Sequence, residues 1–389
     1  MARIPATLLV NASRSFAWRA LAAFVIAGTC TLALGAQSPW RGEWPRTDFA
    51  KRTVSLAEID SGGPPKDGIP AIDRPRFISA AEAGRWLDPR EPVIVFERRG
   101  EARAYPLQIL MFHEIVNDVV GGAPVAVTFC PLCNASIVFD RRVGGAVLDF
   151  GTTGKLRKSD LVMYDRQTES WWQQFTGEGI VGRYAGAILR QMPATIASFA
   201  EFRAAYPSGR VLSRETGFMR PYGKNPYRGY DRIGDRPFLF NDPVDPRLPA
   251  MERVLGVARN GKVRIYPLGA LASAPVINDE VGGEPVVVFS RKGMLSVLDA
   301  EMIRESREIP AAAAYSRRVR DRVLYFEHRD QRIVDRETNS EWDFFGRAVA
   351  GPLKGERLQQ ADSGVHFAFA WLAFNPQSEV YAAPAQASR

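Results

Sequence analysis

The sequence predicts a β-rich α+β protein made of two internally duplicated halves, each a small, mostly antiparallel sheet or barrel with a few short helices. Three observations predict it. Turn formers are dense, with 33 Gly and 27 Pro among 389 residues, which favours short strands over long helices. Short Val- and Ile-rich runs are bounded by Gly pairs or Asn-Gly. One order of motifs occurs twice along the chain. The 46% hydrophobic and 24% charged residues are those of a chain that buries a core, not of a disordered one.

Residues 1–36 read as a signal peptide or N-terminal anchor. Arg14 and Arg19 precede the apolar stretch Ala20 to Leu34, and Ala33-Leu34-Gly35-Ala36 offers small residues for cleavage. The stretch is short for a membrane span, so membrane contact is expected only through this segment, if it stays uncleaved. The expected location is the periplasm or another extracytoplasmic compartment. Cys30 lies in this segment, which leaves Cys130 and Cys133 for the mature protein. The net charge of +8 falls to about +5 without Arg3, Arg14 and Arg19. The remaining basic residues alternate with acidic ones, as in Arg317-Arg318-Val319-Arg320-Asp321-Arg322, which reads as a solvated surface. No nucleic-acid module is recognisable, and no nucleic-acid partner is expected.

The first half, 37–215, begins with loops such as Ser61-Gly62-Gly63-Pro64-Pro65. A helix is expected over Ile78 to Leu87, with Ser79 as N-cap and Glu82 completing a capping box. A hairpin follows, Val93–Phe96 returning through Ala102–Tyr105 after the turn at Arg99-Gly100. One or two helical turns from Pro106 to Phe112 deliver His113. Gly121-Gly122 then turns into an apolar strand that ends at Cys130, and Ile137-Val138-Phe139 reads as the next strand. Gly151-Thr152-Thr153-Gly154-Lys155 lacks the full spacing of a phosphate loop and reads as a turn.

The second half, 251–386, repeats this order. Tyr105-Pro106-Leu107, Asn117-Asp118 and Gly121-Gly122 match Tyr266-Pro267-Leu268, Asn278-Asp279 and Gly282-Gly283 at a constant offset of 161. Asp165-Arg166-Gln167-Thr168-Glu169-Ser170 resembles Asp335-Arg336-Glu337-Thr338-Asn339-Ser340, with Trp172 against Trp342. Trp172 therefore reads as core and Trp171, which faces Glu341, as more open to function. Two helices are expected, Ser198 to Tyr206 and His366 to Phe374, each closed by a proline. Residues 216–250 join the halves. They are too long for an ordinary connection, and either wrap the molecule as a linker or cover a site as a lid.

The halves differ where chemistry is to be expected. At the 161 offset, Cys130 falls on Arg291, Cys133 on Met294 and His113 on Ala274. This makes the second half a scaffold and assigns the chemistry to the first. Cys130, Cys133, His113 and His366 are the candidate metal ligands, a soft S/N set suited to copper or zinc. Met111 and Met163 are more readily read as core. A Cys-x-x-Cys pair in an exported protein has two other readings, a thiol–disulfide oxidoreductase or a structural disulfide in a non-catalytic envelope scaffold. A helix after the pair, typical of dithiol enzymes, is not expected here. Glu114 beside His113 offers a base for metal-assisted hydrolysis. Ser159-Asp160 lacks the surroundings of a hydrolase nucleophile.

The runs Tyr105-Pro106-Leu107, His113-Glu114-Ile115-Val116-Asn117-Asp118, Thr128-Phe129-Cys130-Pro131-Leu132-Cys133 and Ser159-Asp160-Leu161-Val162-Met163-Tyr164-Asp165-Arg166, with Trp171-Trp172-Gln173-Gln174, resemble the bacterial and archaeal family called domain of unknown function 3179. The resemblance covers nearly all of the mature chain and implies no activity.

Overall fold

The computed structural model describes residues 39–382. The signal-peptide or anchor segment expected over 1–36 lies outside the described residues. The chain is strand-rich, with short helices and several small, mostly antiparallel sheets, as the sequence predicts. Among the described residues no helix is long and apolar enough to cross a membrane.

The strands Pro92–Arg98 and Glu101–Pro106 form a hairpin because Arg99 and Gly100 both take positive φ, 51° and 81°. That is the turn geometry matching strand twist. Thr195–Ser198 pairs antiparallel to one edge, while Arg210–Leu212 lies parallel to the other. A second sheet holds Ile115–Val120, Ala123–Cys130, Ala135–Asp140 and Gln191–Met192. A third runs Ile59–Ser61, Phe150–Arg157, Asp160–Asp165, Trp171–Gln173 and Gly179–Val181.

The later stretch passes through corresponding elements. Arg253–Arg259, Lys262–Pro267, Leu268–Leu271 and Val276–Val281 start and stop 161 residues after Pro92–Arg98, Glu101–Pro106, Leu107–Leu110 and Ile115–Val120. Asp362–Phe367 pairs with Arg253–Arg259 as Thr195–Ser198 pairs with Pro92–Arg98, and Glu379–Val380 adds the parallel strand. Side-chain networks match as well. Asp165 accepts from Thr168 and from Trp172 Nε1 at 3.0 Å, and Asp335 accepts from Thr338 and from Trp342 Nε1 at 2.9 Å. The two stretches share their cores. One apolar cluster joins Ile94 and Phe129 to Val254 and Trp371, and another joins Val93 and Phe199 to Phe289 and Trp342. Met111 and Met163 fill the first of these.

Local expectations need four corrections. The first helix covers only Ala80–Ala83, although the Ser79–Glu82 capping box is present, because Gly84 ends it. His366 does not open a helix. It lies in the strand Asp362–Phe367, and Phe367 is the N-cap of the helix Ala368–Phe374. Gly151–Lys155 is not a turn between strands but a bulge within Phe150–Arg157. Gly154 has φ +69° there, and a Cβ would stand 1.8 Å from the Pro64 carbonyl oxygen, so only glycine fits. Trp171 is fully buried against Trp44 and Phe49, so it is core like Trp172.

Residues 216–250 carry almost no regular structure but are firmly attached. Asp231 is fully buried, and meets Arg253 at 2.9 Å, Arg307 at 2.7 Å and the Ser296 hydroxyl at 2.5 Å. Tyr230 donates to the Leu132 carbonyl at 3.1 Å, which lays the segment over the cysteine turn.

Candidate metal centre

Two tight turns build the site. In the first, Ala123–Cys130 folds onto Ala135–Asp140 with Cys130 opposite Ala135. Pro131-Leu132-Cys133-Asn134 makes the reversal, and Asn134 takes φ +51°, a conformation its short polar side chain tolerates. In the second, Lys158 and Ser159, at φ 53° and 65°, join Phe150–Arg157 to Asp160–Asp165. The turns face each other. The Cys133 thiol donates to the Ser159 carbonyl oxygen at 3.5 Å, and the Cys130 sulfur lies 4.0 Å from the same atom. Both cysteines are free thiols and both are buried.

The residue after Ser159 completes the cluster. The sulfurs of Cys130 and Cys133 and a carboxylate oxygen of Asp160 all lie within 4.8 Å of one another. Asp160 is held by its Oδ2, which accepts from Gln173 Nε2 at 2.7 Å and from the Phe175 N–H at 2.9 Å. Its Oδ1 is buried and meets no N–H or O–H donor among the described residues, so the two thiols are its polar neighbours. An oriented carboxylate with one oxygen left over is what a ligand-binding role requires.

Burial favours the neutral forms of the acidic groups at the site. Burial raises the Cys130 thiol and raises Cys133 well above the ordinary thiol range. Burial also pushes Asp160 up to about 7. Glu114 rises to about 8 through burial and the nearby Asp160. Among the described residues no Lys or Arg forms an ion pair with either acid. A bound cation would supply the missing charge and hold both sulfurs as thiolates.

The histidines take other places. His113 Nδ1 is 2.7 Å from the Pro70 carbonyl oxygen and Nε2 is 2.6 Å from the Tyr222 hydroxyl, so both ring nitrogens are engaged. Burial lowers its pKa to about 4. His366 stacks against Phe175 at 4.7 Å and Trp371 at 5.0 Å, and burial lowers it to about 3. Its Nδ1 is buried without a partner. The structure thus brings together Cys130 and Cys133, adds Asp160, and leaves His113 and His366 outside the group. The second stretch still reaches the site through its backbone. The Phe367 N–H donates to the Cys133 carbonyl at 3.0 Å, and Asn134 Nδ2 donates to the Val365 carbonyl at 3.4 Å.

Glu114 stands beside the cluster. It has φ +56°, which costs a non-glycine residue about 1–2 kcal/mol. Its counterpart at the 161 offset is Pro275, whose ring excludes that conformation. Both residues nevertheless accept the same backbone bond at 2.8 Å, from Phe129 and from Ser290. The scaffold therefore does not demand the left-handed residue. Glu114 lines a cavity of about 330 Å³ together with Tyr227 and Tyr230.

Asp160 escaped the sequence comparison although the signal was present. By turn geometry its counterpart is Arg332, after Asp330-Gln331 at φ 48° and 63°. That register lies 172 residues on, not 161, so an ungapped comparison passes over it.

The family model described as "Protein of unknown function (DUF3179)" matches residues 66–378, and the chain belongs to that family. No curated protein and no solved structure matches it.

Proposed function

We propose that Cys130, Cys133 and Asp160 bind one divalent metal ion, with zinc the best fit, in a protein exported to the cell envelope. The observation that carries the reading is the trio of buried donor atoms, two sulfurs and a carboxylate oxygen, within 4.8 Å of one another. Around a tetrahedral zinc with bonds of about 2.0–2.3 Å, donor atoms sit roughly 3.5–3.8 Å apart, which small side-chain rotations reach. A carboxylate in place of a histidine moves the set away from Cu(I) and towards zinc. Three protein ligands leave a tetrahedral ion one position short, the count typical of catalytic sites. The basic and apolar N-terminal segment supports export. The matching element order supports a common origin for the two stretches, the later one serving as scaffold.

Thiol–disulfide exchange fits less well. It needs an accessible sulfur with a lowered pKa, whereas both thiols are buried and raised.

Metal content of untagged protein tests the reading. About one zinc per chain is expected, lost in Cys130→Ser, Cys133→Ser and Asp160→Asn, and kept in His113→Ala and His366→Ala. Wild-type protein that neither retains zinc nor binds it on titration would overturn the proposal.

A further inference from the structure

The space next to the cluster is a formed pocket. It is lined by Glu114, Leu132, Leu161, Tyr227, Tyr230 and Phe238. Leu132 lies between the two cysteines and Leu161 follows Asp160, so the pocket abuts the metal cluster. Its volume of about 330 Å³ suits a small organic molecule. The walls are mostly aromatic and aliphatic, and two charged residues, Glu114 and Lys155, join them. Glu114 is 6% exposed, and its carboxyl has no hydrogen-bond or ion-pair partner among the described residues. Lys155 also lines the space, but its ammonium is held by Glu43 at 3.2 Å.

We infer that this pocket binds a small organic ammonium ion, with its cationic head between Glu114 and the rings of Tyr227 and Tyr230. The inference rests on the proposed metal site for its charge balance. One divalent ion with two thiolates and the Asp160 carboxylate leaves a net single negative charge, and Glu114, buried beside it and protonated when alone, adds another once a cation next to it displaces its proton. A carboxylate or phosphate ligand would meet like charge from both. A cation meets opposite charge, and aromatic faces attract it further once it is desolvated. Glu114 lines this space from a strained backbone, while Pro275 shows that the fold is built equally well without it.

Calorimetric titration of the zinc-loaded full chain with choline, and with its neutral isostere 3,3-dimethyl-1-butanol, tests the inference. Choline should bind about tenfold or more tightly than the alcohol. Glu114→Gln should abolish that preference while zinc content stays unchanged, and Tyr227→Leu should reduce it. Equal binding of the two probes, no binding of choline, or a preference that survives Glu114→Gln would overturn it. Zinc content is measured on the same samples. Absence of zinc defeats the metal proposal, whereas zinc-loaded protein that ignores choline defeats only this one.

Discussion

The stretches beginning at Pro92 and Arg253 use one backbone plan for different ends. Both make the same hairpin, the same single helical turn and the same pair of strands. In both, a tyrosine hydroxyl and an arginine meet one aspartate: Tyr105 and Arg103 on Asp118, Tyr266 and Arg264 on Asp279. They part at the next reversal. After Cys130 the first stretch turns within four residues, whereas the strand Glu284–Leu295 carries on and returns only at Glu308. The short turn is what presses two thiols against the neighbouring hairpin. At the 161 offset, Arg291 stands for Cys130, Met294 for Cys133 and Pro275 for Glu114. The shared residues hold the common elements, and these unshared ones belong to the proposed site.

Three measurements would break or sharpen this comparison. The largest effect belongs to the matched aspartates. Asp165→Ala and Asp335→Ala each strand the donors of a threonine and a buried tryptophan, and each should cost about 3 kcal/mol or more in urea unfolding. A large cost at one and none at the other would end the claim that the stretches are structurally equivalent.

Glu114 gives the next effect, on one side only. Its folded pKa of about 8 lies above the ordinary 4.5, so the folded state binds the extra proton between those values. This contribution is complete below about pH 4.5 and is lost as pH rises through about 8. Melting of metal-free protein should therefore show a decline over that window that Glu114→Gln flattens. Identical pH profiles for the two proteins would refute the buried, unpaired acid.

The smallest effect is again symmetric. Tyr105→Phe and Tyr266→Phe keep the ring and remove a hydrogen bond to a charged aspartate, at about 1–2 kcal/mol each by chemical denaturation. A cost at only one of them would show that the matching networks are not energetically alike.

Much of the scaffold was legible because its signals are local. Gly100 and Gly261 mark hairpins, Ser79 and Ser198 mark helix starts, and the valine runs mark buried strands. The cysteine pair was legible by contrast with the second stretch. Its third partner was not, since Asp160 comes from a separate hairpin whose register had slipped. His113 has the composition of a ligand, yet Pro70 and Tyr222 take its nitrogens, and neither contact leaves a trace in local sequence. The role of 216–250 was equally hidden. The segment's attachments are long-range, among them the buried Asp231–Arg253 pair and the Tyr230–Leu132 contact, and none leaves a trace in local sequence.

The bond between Asn134 and Val365 spans 231 residues of chain. Local hairpins form early, but a closure of that length comes late. The cysteine turn can therefore exist as a local hairpin before the strand Asp362–Phe367 docks on it, and the contacts of Phe367 and Val365 with that turn are among the last to form. A chain truncated before Asp362 would keep the hairpin and lose these two contacts.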